Sequence, residues 1–133
     1  MESTTPLAVV RRYFDALAAQ DFATVAAVFA DDIVWHQPGD NRFSGTHRGS
    51  AAVNEMIGGM MTASEGTFEL SVTGEPMANG ALVAAPVHFT GRREHARMAM
   101  DGTDLLRIEG DRIAEVWLFS ADPRAEDAFW GVS

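Results

Sequence analysis

The chain has 133 residues, 47% of them hydrophobic and 22% charged, with a formal net charge of -9. Such a length supports one core and reads as a single domain over 1–133; the acidic balance argues against nucleic acid as a partner, because phosphate binding needs a basic surface. Cysteine and lysine are both absent, which removes thiolate nucleophiles, disulfides, cysteine-ligated metals, Schiff bases and an internal pyridoxal anchor.

The N-terminal MESTTPLAVVRRYF lacks the basic-then-apolar order of a signal peptide, and no apolar run is long enough to span a bilayer. A cytoplasmic protein with no membrane partner is therefore expected. Basic side chains that are all arginine, with abundant Ala and Gly, are associated with high-GC bacterial sources.

Ser3-Thr4-Thr5-Pro6 is a helix-start signal, a capping residue with proline in the first turn. Val9 or Val10, Tyr13, Phe14 and Leu17 then recur at helical spacing and form one apolar face. Asp21 reads as the cap of a short second helix with Val25, Val28 and Phe29 inward, and Ile33–Gln37 as a strand stopped by Pro38-Gly39. A long polar loop containing Phe43, His47 and Arg48 leads to a third helix from Ser50, whose buried stripe is Val53, Met56, Ile57 and Met60. Gly58-Gly59 weakens its far end.

From Gly66 the period becomes alternating, and Thr67–Glu75, Ala81–Thr90, Ala96–Ile108 and Arg112–Ser120 read as strands. Asn79-Gly80, Gly91-Arg92-Arg93 and Glu109-Gly110-Asp111 supply turns for an antiparallel meander. The tail Asp122–Ser133 reads as a polar turn followed by Ala128-Phe129-Trp130, a segment docked on the body. Three helices followed by such a sheet predict an α+β cone, helices packed on one face of a curved, mainly antiparallel sheet around a pocket for a small apolar molecule.

Chemistry concentrates where the first strand hands over to its loop. Trp35, His36 and Gln37 combine an apolar wall, a proton-handling ring and an amide. Alternation puts Gln37 on the side of Trp35 and Ile33, and His36 on the side of Val34, so only one set faces the cavity unless a bulge re-aims the strand. Asp104 shares a face with Leu106 and Ile108, and a buried carboxylate is costly unless partnered or neutral. His47, His88 and His95 lack metal-ligand spacing, so no metal is expected. Phe43, Met100, Trp117 and Phe119 are candidate pocket wall, with core filling as the competing role.

The runs Tyr13-Phe14-Asp15-Ala16-Leu17, Asp21-Phe22 and Val28-Phe29-Ala30-Asp31-Asp32 resemble the first two helices of a ketosteroid isomerase. Trp35-His36-Gln37-Pro38-Gly39, with Ser44-Gly45-Thr46 and Arg48-Gly49, is similar to stretches of SnoaL-like proteins, and Thr103–Ile108 with Gly110–Ile113 resembles the penultimate hairpin of the same NTF2-like superfamily. The resemblance implies the cone fold, a homodimer, no cofactor and a small hydrophobic carbonyl compound, such as a polyketide or terpenoid, as substrate.

Residue by residue, it implies that Tyr13 and Asp104 stand where the isomerase holds its oxyanion donors, the second a carboxyl kept protonated by an apolar site. At the position of the isomerase base this chain has Gln37, which accepts no proton at useful pH, leaving His36 or Asp104 as the base of a SnoaL-like cyclase. Epoxide-hydrolase-like members carry an arginine two residues before the strand aspartate; here that residue is Gly102. The expected site is thus Tyr13, His36 and Asp104 as catalytic groups, with Trp35, Gln37, Phe43, Met100, Trp117 and Phe119 around the substrate. The alternative is a non-catalytic binding protein using the same cavity, and a third reading is a dimeric scaffold with a filled interior.

Overall fold

The computed structural model describes residues 5–132. Helix α1 (Pro6–Ala18) starts at Thr5, whose hydroxyl accepts the Ala8 N–H at 3.1 Å; Ser3 and Thr4 of the expected cap lie outside the described residues. Its buried side chains, Val9, Val10, Tyr13, Phe14 and Ala16, follow the helical period. Helix α2 (Phe22–Ala27) is capped by Asp21, which accepts from both the backbone and the hydroxyl of Thr24.

Strand β1 runs Phe29–Gln37, starting four residues before the expected Ile33. A register irregularity between Phe29 and Val34 explains the difference, because it turns Asp31 and Asp32 outward and interrupts the apolar alternation. The expected polar loop contains a strand, β2 (Gly45–Arg48), paired antiparallel with β1. Its backbone ladder forms without an apolar face, so the sequence carries no alternation to announce it. Helix α3 (Ser50–Ala63) follows, burying Val53, Met56 and Met60.

The expected strand over 67–75 is shortened at both ends, and an additional short strand follows it. Strand β3 (Glu69–Val72) and strand β4 (Met77–Asn79) flank Thr73–Pro76, and both pair with β5 (Leu82–Arg93). Strand β6 (Ala96–Glu109) and strand β7 (Arg112–Ser120) complete the meander. Gly91, expected in a turn, lies inside β5; a Cβ there would sit 3.0 Å from the Phe129 ring, so glycine makes room for a docked aromatic. The tail forms helix α4 (Pro123–Trp130), capped by Asp122, where a polar turn was expected.

The seven strands form one sheet of order β2-β1-β7-β6-β5-β3, with β4 also on β5. It is curved and unclosed, antiparallel except for the parallel β1–β7 pair. Helices α1, α3 and α4 contact its strands, and the core they close over is apolar: Val10, Phe29, Ile33, Val53, Val83, Leu106 and Trp130 are essentially sealed from solvent. No helix among the described residues is long and apolar enough to cross a membrane.

Candidate active site

The inner face of the sheet and the undersides of α1, α3 and α4 leave a cavity of about 70 Å³, walled by Leu17, Met60, Phe68, Phe89, Leu118 and Trp130. Five of the expected site residues line it: Tyr13, Trp35, Gln37, Asp104 and Phe119. All but Phe119 arrive by simple periodicity. Tyr13 is on the buried stripe of α1, Trp35 and Gln37 alternate inward on β1, and Asp104 shares the inner face of β6 with Met100, Leu106 and Ile108. Phe119 borders the cavity although alternation on the strand sets it, like Trp117, towards the outer face, and it is 55% exposed.

The polar equipment is sparse and specific. The Trp35 indole N–H donates to Gln37 Oε1 at 3.0 Å. An indole nitrogen only donates, so this bond orients the amide and leaves its NH₂ end without a partner among the described residues. Tyr13 and Asp104 are buried, and neither side chain has a hydrogen-bond partner among the described residues. Yet no sealed side-chain nitrogen or oxygen there lacks a partner. The free oxygens of Tyr13 and Asp104 must therefore open on the cavity, ready for a ligand.

Burial, and next the charge of Glu126, push the Asp104 carboxyl up to about 7. Burial, and next the charge of Asp104, raise the Tyr13 hydroxyl far above its ordinary range. Both shifts favour the protonated state, in which the two groups donate hydrogen bonds.

Glu126, on α4, is the ionisable wall residue that sequence reasoning missed. Its Oε1 accepts from the Ser120 hydroxyl at 2.5 Å and its Oε2 from the Trp130 indole at 3.2 Å. Burial raises its pKa, while the bonds from Ser120 and Trp130 oppose that rise. The signal was available: Asp122-Pro123 is a cap followed by a first-turn proline, and a helix from there puts Glu126 on the face of Phe129 and Trp130.

Four expected residues lie elsewhere. His36 is on the outer face of the sheet, where its Nε2 meets Glu115 Oε2 at 2.7 Å and its ring stacks on Trp117 at 5.5 Å. Alternation along an unbulged strand end forces this once Gln37 points inward. Trp117 shares that outer face, because Val116 and Leu118 take the inner positions of β7. Phe43 backs the wall from behind, edge-on to Trp130 at 5.2 Å and seated on Gly59, where a Cβ would come within 2.9 Å of its ring. Met100 is buried opposite Phe89 in the β5–β6 ladder and fills core.

Gly102 closes off another chemistry. A Cβ there would lie 2.5 Å from the Phe119 carbonyl oxygen, so no arginine fits two residues before Asp104. Among the described residues no group of three or more His, Asp or Glu side chains forms a metal site.

A family model described as the SnoaL-like domain matches residues 10–116. An uncharacterized protein of Mycobacterium tuberculosis is 31% identical over 98% of this chain and 99% of its own. A crystal structure of a Xanthomonas campestris protein of unknown function, described as having a cystatin-like fold, superposes with a TM-score of 0.92 at 45% identity, covering 96% of this chain and 98% of that one. Bal32a, from a soil-derived mobile gene cassette, superposes at a TM-score of 0.89 with 24% identity over 97% and 99% of the two chains. Structures named as an epoxide hydrolase, a ketosteroid isomerase and a polyketide cyclase share the fold at 20%, 22% and 22% identity, which shows the architecture alone.

Proposed function

Because the chain belongs to the SnoaL-like family, we propose that its cavity binds a small, largely apolar carbonyl compound and promotes enolisation without a cofactor. The observation that carries this reading is the pair of buried, unpartnered oxygens of Tyr13 and Asp104 in an apolar cavity. Two protonated donors in a water-poor site stabilise charge developing on a carbonyl oxygen more than they stabilise the neutral ketone, which is the difference that accelerates a reaction. The apolar walls select a hydrophobic skeleton, and the Gln37 NH₂ offers a third donor for its orientation.

The test is binding of 2-naphthol, a planar phenol whose oxygen resembles an enolate, followed by quenching of tryptophan fluorescence. Tyr13→Phe and Asp104→Asn are each expected to weaken binding at least tenfold. Binding that ignores both substitutions would remove the oxyanion assignment.

Gln37, where an isomerase of this resemblance carries its base, favours a second reading, a binding protein that retains the cavity without turnover. It predicts thermal stabilisation by ligands that are recovered chemically unchanged.

The homodimer implied by the family resemblance would use the outer sheet face, where half-exposed Trp117 and 55% exposed Phe119 present apolar surface. Sedimentation of Phe119→Asp tests this; a mass unchanged from that of a dimeric parent would exclude the face.

A further inference from the structure

A mechanism that makes an enolate needs a group to take the carbon-bound proton, and Gln37 does not supply one. His36 is behind the sheet, bonded to Glu115. Asp104 has no hydrogen-bond donor among the described residues to hold its negative charge. Among the carboxyl groups of the cavity wall this leaves Glu126.

We propose that Glu126 is the general base of this site, removing the proton next to a carbonyl that Tyr13 and Asp104 hold. The proposal rests on the enolising role argued above and assigns its missing partner.

Two carboxyl groups facing one apolar cavity do not both ionise readily, so they divide the available charge. Hydrogen bonds decide the division. The Glu126 carboxylate is stabilised by two donors, the Ser120 hydroxyl and the Trp130 indole, whereas Asp104 has none. The negative charge therefore resides on Glu126 and the shared proton on Asp104. That is the base-and-donor split enolisation requires. A carboxylate has about four lone-pair sites, so two donors leave room for a substrate proton.

Two sets of hydrogen bonds hold the C-terminal half of the helix that carries Glu126. Asp127 Oδ1 accepts the Asp40 N–H and the Asn41 side-chain amide, each at 2.8 Å. The Arg93 guanidinium donates to the carbonyls of Phe129 and Trp130 at 2.6 and 3.0 Å. A group meant only to fill space would not need a carboxylate in an apolar wall, where its desolvation is a cost.

In the step itself, a Glu126 oxygen takes the proton from the carbon next to the carbonyl. The C–H electron pair becomes the new C=C bond, and the carbonyl π pair moves onto oxygen, where Tyr13 and Asp104 donate to it. Return of the proton from Glu126 to carbon regenerates a ketone and the carboxylate, so no oxidant, reductant or co-reactant is consumed. Exchange of the captured proton with water between the two half-steps labels the substrate.

The experiment follows deuterium entry into 2-tetralone in D₂O by NMR, alongside 2-naphthol binding. Wild-type exchange above the buffer rate, an at least 100-fold loss in Glu126→Ala, and recovery on addition of formate are expected. Formate rescue has no counterpart if the side chain is merely structural. Glu126→Ala that exchanges within threefold of wild type overturns the proposal. If that variant does not fold, Glu126→Gln replaces it, with the same 100-fold loss expected and the same threefold criterion against. Wild type that binds 2-naphthol through Tyr13 and Asp104 yet labels no 2-tetralone removes Glu126 as base and leaves the binding role standing. Binding that is indifferent to Tyr13 and Asp104 removes the enolising role itself.

Discussion

Trp35 and Gln37, two residues apart on the inner face of β1, are joined by an indole-to-amide hydrogen bond of 3.0 Å. The bond joins the largest side chain of that strand to the residue at the mouth of its loop and settles which end of the amide a ligand meets. Gln37→Leu leaves the indole N–H without an acceptor in a buried setting, a loss of about 1–3 kcal/mol. Gln37→Glu retains an acceptor and is expected to be close to wild type at pH 4. Urea unfolding of both variants measures the difference, and equal midpoints for Gln37→Leu and wild type would show that the bond contributes nothing.

Asp104 makes stability depend on pH in an unusual direction. Its carboxyl is raised from 3.8 to about 7 in the folded chain, chiefly by burial and then by Glu126. Between those values the unfolded chain releases a proton that the folded chain keeps, so stability falls as pH rises through this window. The contribution is full below about pH 4 and gone above about pH 7, with a ceiling of about 4 kcal/mol. Glu126, also raised, acts with the same sign. Asp104→Asn is therefore expected to flatten the profile and to exceed wild type in stability at pH 8. Chemical denaturation at pH 4, 6 and 8 measures it; a profile as steep as the parent's would place the titrating group elsewhere.

His36, for all its appeal next to Gln37, is predicted to leave the cavity untouched. His36→Ala should bind 2-naphthol as wild type does and lose less than about 1 kcal/mol of stability, since its bond to Glu115 is partly solvated. What should change is Glu115, whose pKa is lowered first by the His36 hydrogen bond and further by Arg107. An NMR titration of the Glu115 carboxyl is expected to move upward in the variant. A tenfold loss of ligand affinity would mean that the outer face communicates with the cavity.

Asp127 connects the loop after β1 to α4. Its Oδ1 holds Asp40 and Asn41, and a Cβ at Gly39 would lie 2.3 Å from that same oxygen, so only glycine, with its φ of +87°, admits the contact. Asp127→Ala removes both bonds and is expected to speed amide exchange across 123–130 at least tenfold, without touching the cavity wall directly. Mass-spectrometric hydrogen exchange checks this. Unchanged protection of α4 would shift the anchoring role to Arg93.

Much of the fold was legible because its signals are local. Helix α1 and α3 carry apolar stripes, β5 to β7 alternate, and Asn79-Gly80 and Gly110 mark turns at which both glycines have positive φ. The short polar β2 was not legible, since a strand made by backbone pairing without an apolar face has no periodic signature. Helix α4 is legible in its cap and proline, but its polar start fits a turn equally well, and a turn leaves Glu126 without a site.

By itself the sequence narrowed the chemistry the chain can support and placed two of the polar groups. Without cysteine or lysine, acid–base work or binding is what remains, and periodicity alone places Tyr13 and Asp104 on inner faces. Only the tertiary structure decided between His36 and Gln37, because a period of two allows either face until the partner strands are known. It alone also brought Glu126, 22 residues beyond Asp104 in the chain, to the same cavity wall. Such proximity depends on how α4 docks back over the sheet, a long-range contact that no local pattern encodes.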